Sequence, residues 1–257
     1  MYKKRNAFRG KRTYRPRHRK TAKQSKSSHS TIKKVVKNML SRNLEVKEID
    51  VQQANKPVSC PSGSAPDTTW GTLNLMPQIA QGYESNKRIG NAVRTKYSAW
   101  KGQVNLLPYN SITNTVQAIE VVMYLVKYKK SNVATPPFTD FFQKNDTTIG
   151  FTNSPLDCFS RVNEDSYRVC AKRKFRLNTN TVSGQGVSGQ DGPARFVSFN
   201  LARFIKKGLR FDDNTNGNLP TNDNLWLLTV PVQQDGGASD VQPIEIHYEN
   251  TYRYTDA

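Results

Sequence analysis

Between Met1 and Asn43 the chain carries sixteen Lys and Arg and no Asp or Glu; the first acid is Glu45. No packed core can be built from Lys3, Lys4, Arg5, Arg9, Lys11, Arg12, Arg15, Arg17, Arg19 and Lys20. Their hydration and mutual repulsion exceed what Tyr2, Phe8 and Tyr14 recover by burial. Lys23, Lys26, Lys33, Lys34 and Lys37 continue the same sign. This arm is expected to stay disordered until a polyanion neutralises it. Nucleic acid is the leading polyanion, since each phosphate contact releases a condensed counterion. Of 39 bases and 20 acids in 257 residues, 23 bases and all 20 acids lie beyond the arm, a net of only +3. The sequence thus divides into a basic arm, 1–43, and a nearly charge-balanced body, 44–257.

No apolar run reaches the roughly 18 residues needed to span a bilayer. The N-terminus lacks an apolar stretch with a small-residue cleavage site, so no secretory signal and no membrane partner are expected. On that expectation the acceptor pattern Asn145-Asp146-Thr147 goes unused. Cys60, Cys158 and Cys170 are odd in number and too far apart for metal spacing, and read as reduced core thiols. His18 and His29 lie in the arm, and His247 alternates with apolar neighbours and points off the core.

Within the arm, the Lys/Arg clusters of 1–30 also serve as a nuclear address, or as a solvated basic tail. From Ser30, Ile32, Val35, Val36, Met39 and Leu40 recur at helical spacing, which predicts a short helix with an apolar packing face. The body reads as strands. Residues 44–51 form the first, followed by a loop punctuated by Pro57, Pro61, Gly63 and Pro66. Short strands follow at 70–76 and 100–106. Residues 115–128 are a β-branched apolar run, a strand buried on much of both faces. The segment from Pro136 to Lys144 is loop or one helical turn. A strand near 157–162 leads to 167–177, then to 195–205, to a continuous apolar strand at 224–230, and to alternating Ile244, Ile246, Tyr248, Tyr252 and Tyr254. About eight strands with almost no helix predict an all-β, antiparallel jelly-roll sandwich.

Chemical motifs are sparse. Gly184-x-Gly186-x-x-Gly189 matches a dinucleotide fingerprint, but a strand follows instead of a helix N-terminus, so it reads as a surface loop. Asp212 to Asp223 approximates a calcium loop, yet its flanks are strand-like and its twelfth position is Asp, which favours an ordinary turn. No nucleophile sits in an elbow, and neither catalytic residues, a metal nor a cofactor are expected. Arg168, Lys172, Lys174 and Arg176 alternate with Tyr167, Val169, Ala171, Phe175 and Leu177. Alternation predicts one basic row, a second phosphate-contact surface beside the arm or simply a solvated face.

QGYESNKRIGNAV (81–93) resembles the capsid proteins of small circular single-stranded DNA viruses, the circovirus-like group, with Arg88-Ile89-Gly90 the most specific match. So do ARFVSFNLARFIKKGLRF (194–211) with the Asp/Asn turn and NLWLLTV that follow, and the end at Tyr252-Arg253-Tyr254-Thr255-Asp256-Ala257. The Ser/Thr-rich stretch near 21–31 departs from the denser arginine runs of typical circoviruses. The resemblance implies a jelly roll assembling as about sixty copies into a small icosahedral virion. Its arms would bind a packaged single-stranded DNA genome, and host nuclear import would bring it to the nucleus for assembly. Sixty arms of sixteen charges carry roughly 960 positive charges, enough for on the order of a thousand phosphates. Phe8, Arg9 and Tyr14 would add stacking on unpaired bases. RNA cargo in the coat of a small RNA virus, or a cellular nucleic-acid-binding protein with a basic tail, fits the same arm.

Overall fold

The computed structural model describes residues 30–36, 45–107, 118–132, 134–178, 193–212, 218–233 and 242–256. Arm positions Lys3 to Lys26 and Lys37, and the glycine-rich loop at 184–189, lie outside the described residues. The chain divides into two units, Met1–Leu44 and Glu45–Ala257. In the first, residues 30–36 are helical, as the spacing predicts. Ile32, Val35 and Val36 are exposed within this unit, and Met39 and Leu40 lie outside the described residues.

The second unit is built from strands. In chain order they are β1 (Lys47–Val58), β2 (Thr72–Asn74), β3 (Ala92–Leu106), β4 (Ala118–Tyr128), β5 (Phe142–Lys144), β6 (Thr147–Ile149), β7 (Arg161–Val162), β8 (Tyr167–Asn178), β9 (Ala194–Asn200), β10 (Gly208–Arg210), β11 (Trp226–Gln233) and β12 (Ile244–Asp256). One sheet runs β1-β12-β3 with β9 and β10 both on the far edge of β3. β10 takes Ala92–Arg94 of that edge and β9 takes Ala99–Asn105, so the two share one position. The second sheet runs β2-β11-β4-β8. Early strands thus pair late ones in reverse order: β1 with β12, β2 with β11, β3 with β9 and β10, β4 with β8. An antiparallel ribbon wound into two facing sheets is a jelly roll, so the expected fold class holds. The expected count of eight strands becomes eight positions plus an inserted third sheet, β6-β5-β7.

Alternation puts Trp100, Val104, Ile246 and Tyr254 of the first sheet against Val121, Met123, Leu125 and Leu227 of the second. Trp100 is the largest of these, and its ring occupies the space above Gly102. A Cβ there would lie 2.3 Å from Trp100 Cη2. Gly102→Ala is therefore expected to cost about 1–3 kcal/mol by overpacking, read as a lower urea midpoint at unchanged slope.

The third sheet explains why the second reads as continuous apolar runs. Phe138, Phe141, Phe142 and Phe151 pack on Val122, Tyr124, Val126, Trp226, Leu228 and Val230 as a second core, on the side of that sheet away from the first. Every residue of β11 is buried in consequence. Apolar side chains on both faces erase the alternation that marks a half-exposed strand. Several local expectations are corrected here. The segment after Pro136-Pro137 ends in the β5–β6 hairpin, turned by Asn145 at φ 53°. The strand expected near 157–162 is a 3-10 turn at Pro155–Cys158, capped by Ser154, followed by two-residue β7. β9 ends at Asn200 in a second 3-10 turn, Leu201–Arg203, so Ile205 lies beyond the strand.

Candidate nucleic-acid interface

Of the expected arm contacts, Lys33 and Lys34 are the described ones, both exposed on the 30–36 helix. The body row is where geometry departs most from alternation. β8 pairs β4 with Leu125 opposite Ala171 but Val126 opposite Val169, so Cys170 is an extra residue. A bulge of one residue moves everything beyond it to the other face. Lys172, Lys174 and Arg176 stand opposite Tyr124, Val122 and Glu120, on the side of the second core. Arg168 stands opposite Lys127, on the other side. The expected single row of four is therefore three cations, with Arg168 separated. The apolar set splits in the same way. Tyr167 belongs to the second core, while Ala171, Phe175 and Leu177 pack on the first.

All three remaining cations have partners within the protein. Lys174 Nζ lies 2.7 Å from Glu120 Oε2 and 4.3 Å from the centroid of Phe159. Lys172 Nζ donates to the Cys158 carbonyl at 2.9 Å and sits 4.8 Å over Tyr124. Arg176 Nε donates to Asn178 Oδ1 at 2.7 Å. The hydrogen bond from Lys174 holds the Glu120 carboxyl below its ordinary value and raises the ammonium in return. Burial pushes the Cys158 thiol up to about 11, aided by its hydrogen bond to Glu120, so it is protonated at neutral pH. Because the folded state lowers the Glu120 value, the pair stabilises above the ordinary glutamate range. That contribution is lost as pH falls through the depressed value. The pair is solvent-screened, so Glu120→Gln is expected to flatten the acid limb of the stability curve by less than about 1 kcal/mol. Urea melts from neutral pH down through the carboxylate range measure it.

Charge in the body also does structural work that residue spacing did not reveal. Asp223, the twelfth position of the calcium-like loop, is buried and occupied. Its Oδ1 meets Lys127 Nζ at 2.5 Å, and its Oδ2 accepts from the Lys206 amide at 2.7 Å. The carboxylate is spent within the protein, and no group of three or more metal-ligating side chains exists among the described residues. Residues 213–217 of that loop lie outside the described residues. Asn222 and Asn224, which flank Asp223, accept from the amides of Arg210 and Tyr128, tying β10 and β4 to the start of β11.

Arg88 lies in the segment that carries the sequence resemblance, and only 2% of it is exposed. Its Nε donates to Ile79 O at 3.2 Å, its Nη1 to Gly90 O and to Asn91 Oδ1, and its Nη2 to Asp212 O at 3.4 Å. The guanidinium lies 4.8 Å from the centroid of Phe211. Around it, Lys47 Nζ binds Lys87 O at 2.7 Å and Asp256 at 2.8 Å, and Tyr254 Oη donates to Asn86 O at 2.9 Å. β1, β12 and the loop ahead of β3 are thus clamped together, with Tyr83 at 96% exposure held out from the loop. A planar fork with five donors suits this role where an ammonium does not. A basic residue in a Gly- and Asn-rich loop carries no sequence mark that distinguishes a buried clamp from a surface contact.

Comparison with known proteins gives distant matches. No family model matches the chain, and no curated protein matches it. Among solved structures, the 60-mer of BFDV capsid protein aligns at 8% identity and TM-score 0.28, over 83% of this chain and 94% of that one. The unassembled VP1 pentamer of KI polyomavirus aligns at 12% identity and TM-score 0.26, over 82% and 95%. VP1 of trichodysplasia spinulosa-associated polyomavirus, in complex with sialylated glycooligomers, aligns at 11% identity and TM-score 0.28, over 82% and 96%. These are distant structural similarities to viral capsid proteins. The jelly-roll assignment rests on the strand order itself.

Proposed function

We propose that the chain is a viral coat subunit that associates with copies of itself and packages single-stranded DNA through residues 1–43. The observation that carries this is the partition of charge: sixteen bases and no acid in the arm, joined to a jelly roll whose chain has a net of only +3. A polyanion satisfies the arm, and bodies near neutrality approach one another without the repulsion that +19 spread over their surfaces would impose. Contacts to phosphate carry no base identity, so packaging is largely sequence-independent. Assembly of about sixty copies, delivery to the host nucleus by the arm's basic clusters and residence in the virion belong to the same proposal.

The test is electron microscopy and size-exclusion chromatography of the full chain at low ionic strength, followed by nuclease treatment. Closed particles that protect polynucleotide, digested by DNase but not RNase once extracted, are the expected result. RNase-sensitive cargo would make it an RNA coat. A monomer that binds nucleic acid without forming particles would make it a binding protein with a basic tail.

A further inference from the structure

The five-stranded sheet is divided by charge along its length. β3, with β9, β10 and the turn between them (92–106 and 194–210), holds eight Lys or Arg and no Asp or Glu. β1 and β12 hold five acids and three Lys or Arg. Three acids on the outward face of that half have partners there, and Glu245 also accepts from Asn105 of β3 at 3.2 Å. Glu48 takes Arg253 at 3.0 Å, Glu249 takes Gln52 at 3.1 Å, and Glu245 takes His247 at 3.1 Å. Among the described residues, Arg94, Lys101 and Arg210 make no ion pair.

Register places these cations on the outward face. Trp100, Val104 and Leu106 are fully buried toward the core, so Tyr97, Lys101 and Gln103 of β3 point outward. Lys96 is an extra residue opposite β12, which turns Arg94 to the outward side, and Arg210 stands beyond inward Leu209. Phe196 of β9 is paired with Gln103, and 76% of it is exposed in mid-strand. Tyr97 is 37% exposed under the Arg253 guanidinium at 5.5 Å. Along the face the order is Arg94, Tyr97, Lys101, Phe196. Tyr97 and Phe196 are six residues apart in register, about 20 Å. A stacked single strand covers that span with several nucleotides at roughly 3.4 Å per phosphate.

We propose that this half-face is a platform for single-stranded nucleic acid, in which Phe196 and Tyr97 stack on unpaired bases while Arg94, Lys101 and Arg210 meet phosphates. It rests on the packaging proposal and adds to it a second contact surface, on the sheet that β1 joins directly to the arm. A duplex offers phosphates but no free base faces, so the two rings discriminate single strands from duplex. A charged face alone would not. The β8 cations Lys172, Lys174 and Arg176, all engaged within the protein, are the poorer phosphate surface.

The test uses the full chain with Phe196→Ala, Tyr97→Ala, the double variant, and a Gln triple at Arg94, Lys101 and Arg210. Binding of a single-stranded oligothymidylate and of a duplex of equal length is measured across a salt series. Thermal melts confirm that each variant is folded. Phe196→Ala is expected to weaken single-strand binding roughly tenfold with duplex binding unchanged. The Gln triple is expected to lower the salt slope by about two, at about 0.7 per phosphate contact. Ultraviolet cross-linking should place the oligothymidylate on the peptides holding Tyr97 and Phe196. An unchanged preference for single strands, with cross-links confined to residues 1–43, overturns the platform and leaves arm-driven packaging standing. Loss of particle formation with unchanged nucleic-acid binding also overturns it, making the face a contact between copies. A wild-type chain that binds neither probe defeats the packaging proposal itself.

Discussion

Replacing the ten bases from Lys3 to Lys20 with Gln in the full chain is expected to abolish retention of polynucleotide at physiological salt while leaving the body's melting temperature in place. For single strands the salt slope is about −0.7 per phosphate contact. If ten of the sixteen arm charges engage, wild type shows a slope near −7, and its affinity falls by roughly four decades between 50 and 200 mM salt. The substituted arm keeps six bases and a slope no steeper than about −4 from that source. Its loss at low salt is on the order of a thousandfold or more. Folding should not follow, because the substitutions lie in Met1–Leu44 while the sandwich is built within Glu45–Ala257. An unchanged slope would place the binding on the body and reverse the assignment of roles. Particles that form but emerge empty would separate assembly from packaging.

The parts of this architecture that sequence made legible are those set by local periodicity and charge. Alternation at 244–254 and apolar runs at 115–128 and 224–230 correspond to β12, β4 and β11, because burial on one or both faces writes itself directly into residue order. The basic arm is legible for the same reason: sixteen charges of one sign have no local partner. What is illegible depends on pairing. Nothing in the alternation of 167–177 announces that Cys170 is an extra residue opposite β4, so Arg168 changes face without a mark in the sequence. Three-residue β5 and β6 are too short to show a period, and their aromatic cover over the second sheet follows from tertiary packing alone. The acid-free stretches 92–106 and 194–210 are each visible in the sequence. That they lie side by side on one sheet face emerges only from the β3–β9 and β3–β10 registers. The partner of Asp223 is illegible for a related reason: a spacing rule does not see that Lys127, 96 residues away, meets that carboxylate.

Arg88→Leu is expected to be among the most destabilising single substitutions in the body. The guanidinium satisfies the carbonyls of Ile79, Gly90 and Asp212 together with the Asn91 amide oxygen, all around one buried centre. An apolar replacement leaves the buried Ile79 carbonyl and three part-buried acceptors without these donors, at about 1–3 kcal/mol for each that stays dry. A total of roughly 3–5 kcal/mol is a large share of the 5–15 kcal/mol that holds a typical domain. At about 2–4 °C per kcal/mol for a chain of this size, the melting temperature should drop by about 10 °C or more. Arg88→Lys should recover only part, because one ammonium with three donors cannot reach acceptors spread along Ile79, Gly90, Asn91 and Asp212 at once. Limited proteolysis adds a spatial readout. Lys47, Tyr254 and Asp256 meet the same loop, so losing the clamp should expose the segment around Tyr83 to cleavage before the rest of the sandwich. A variant that melts with wild type and resists protease at that loop would show that Lys47, Tyr254 and Asp256 suffice to hold it.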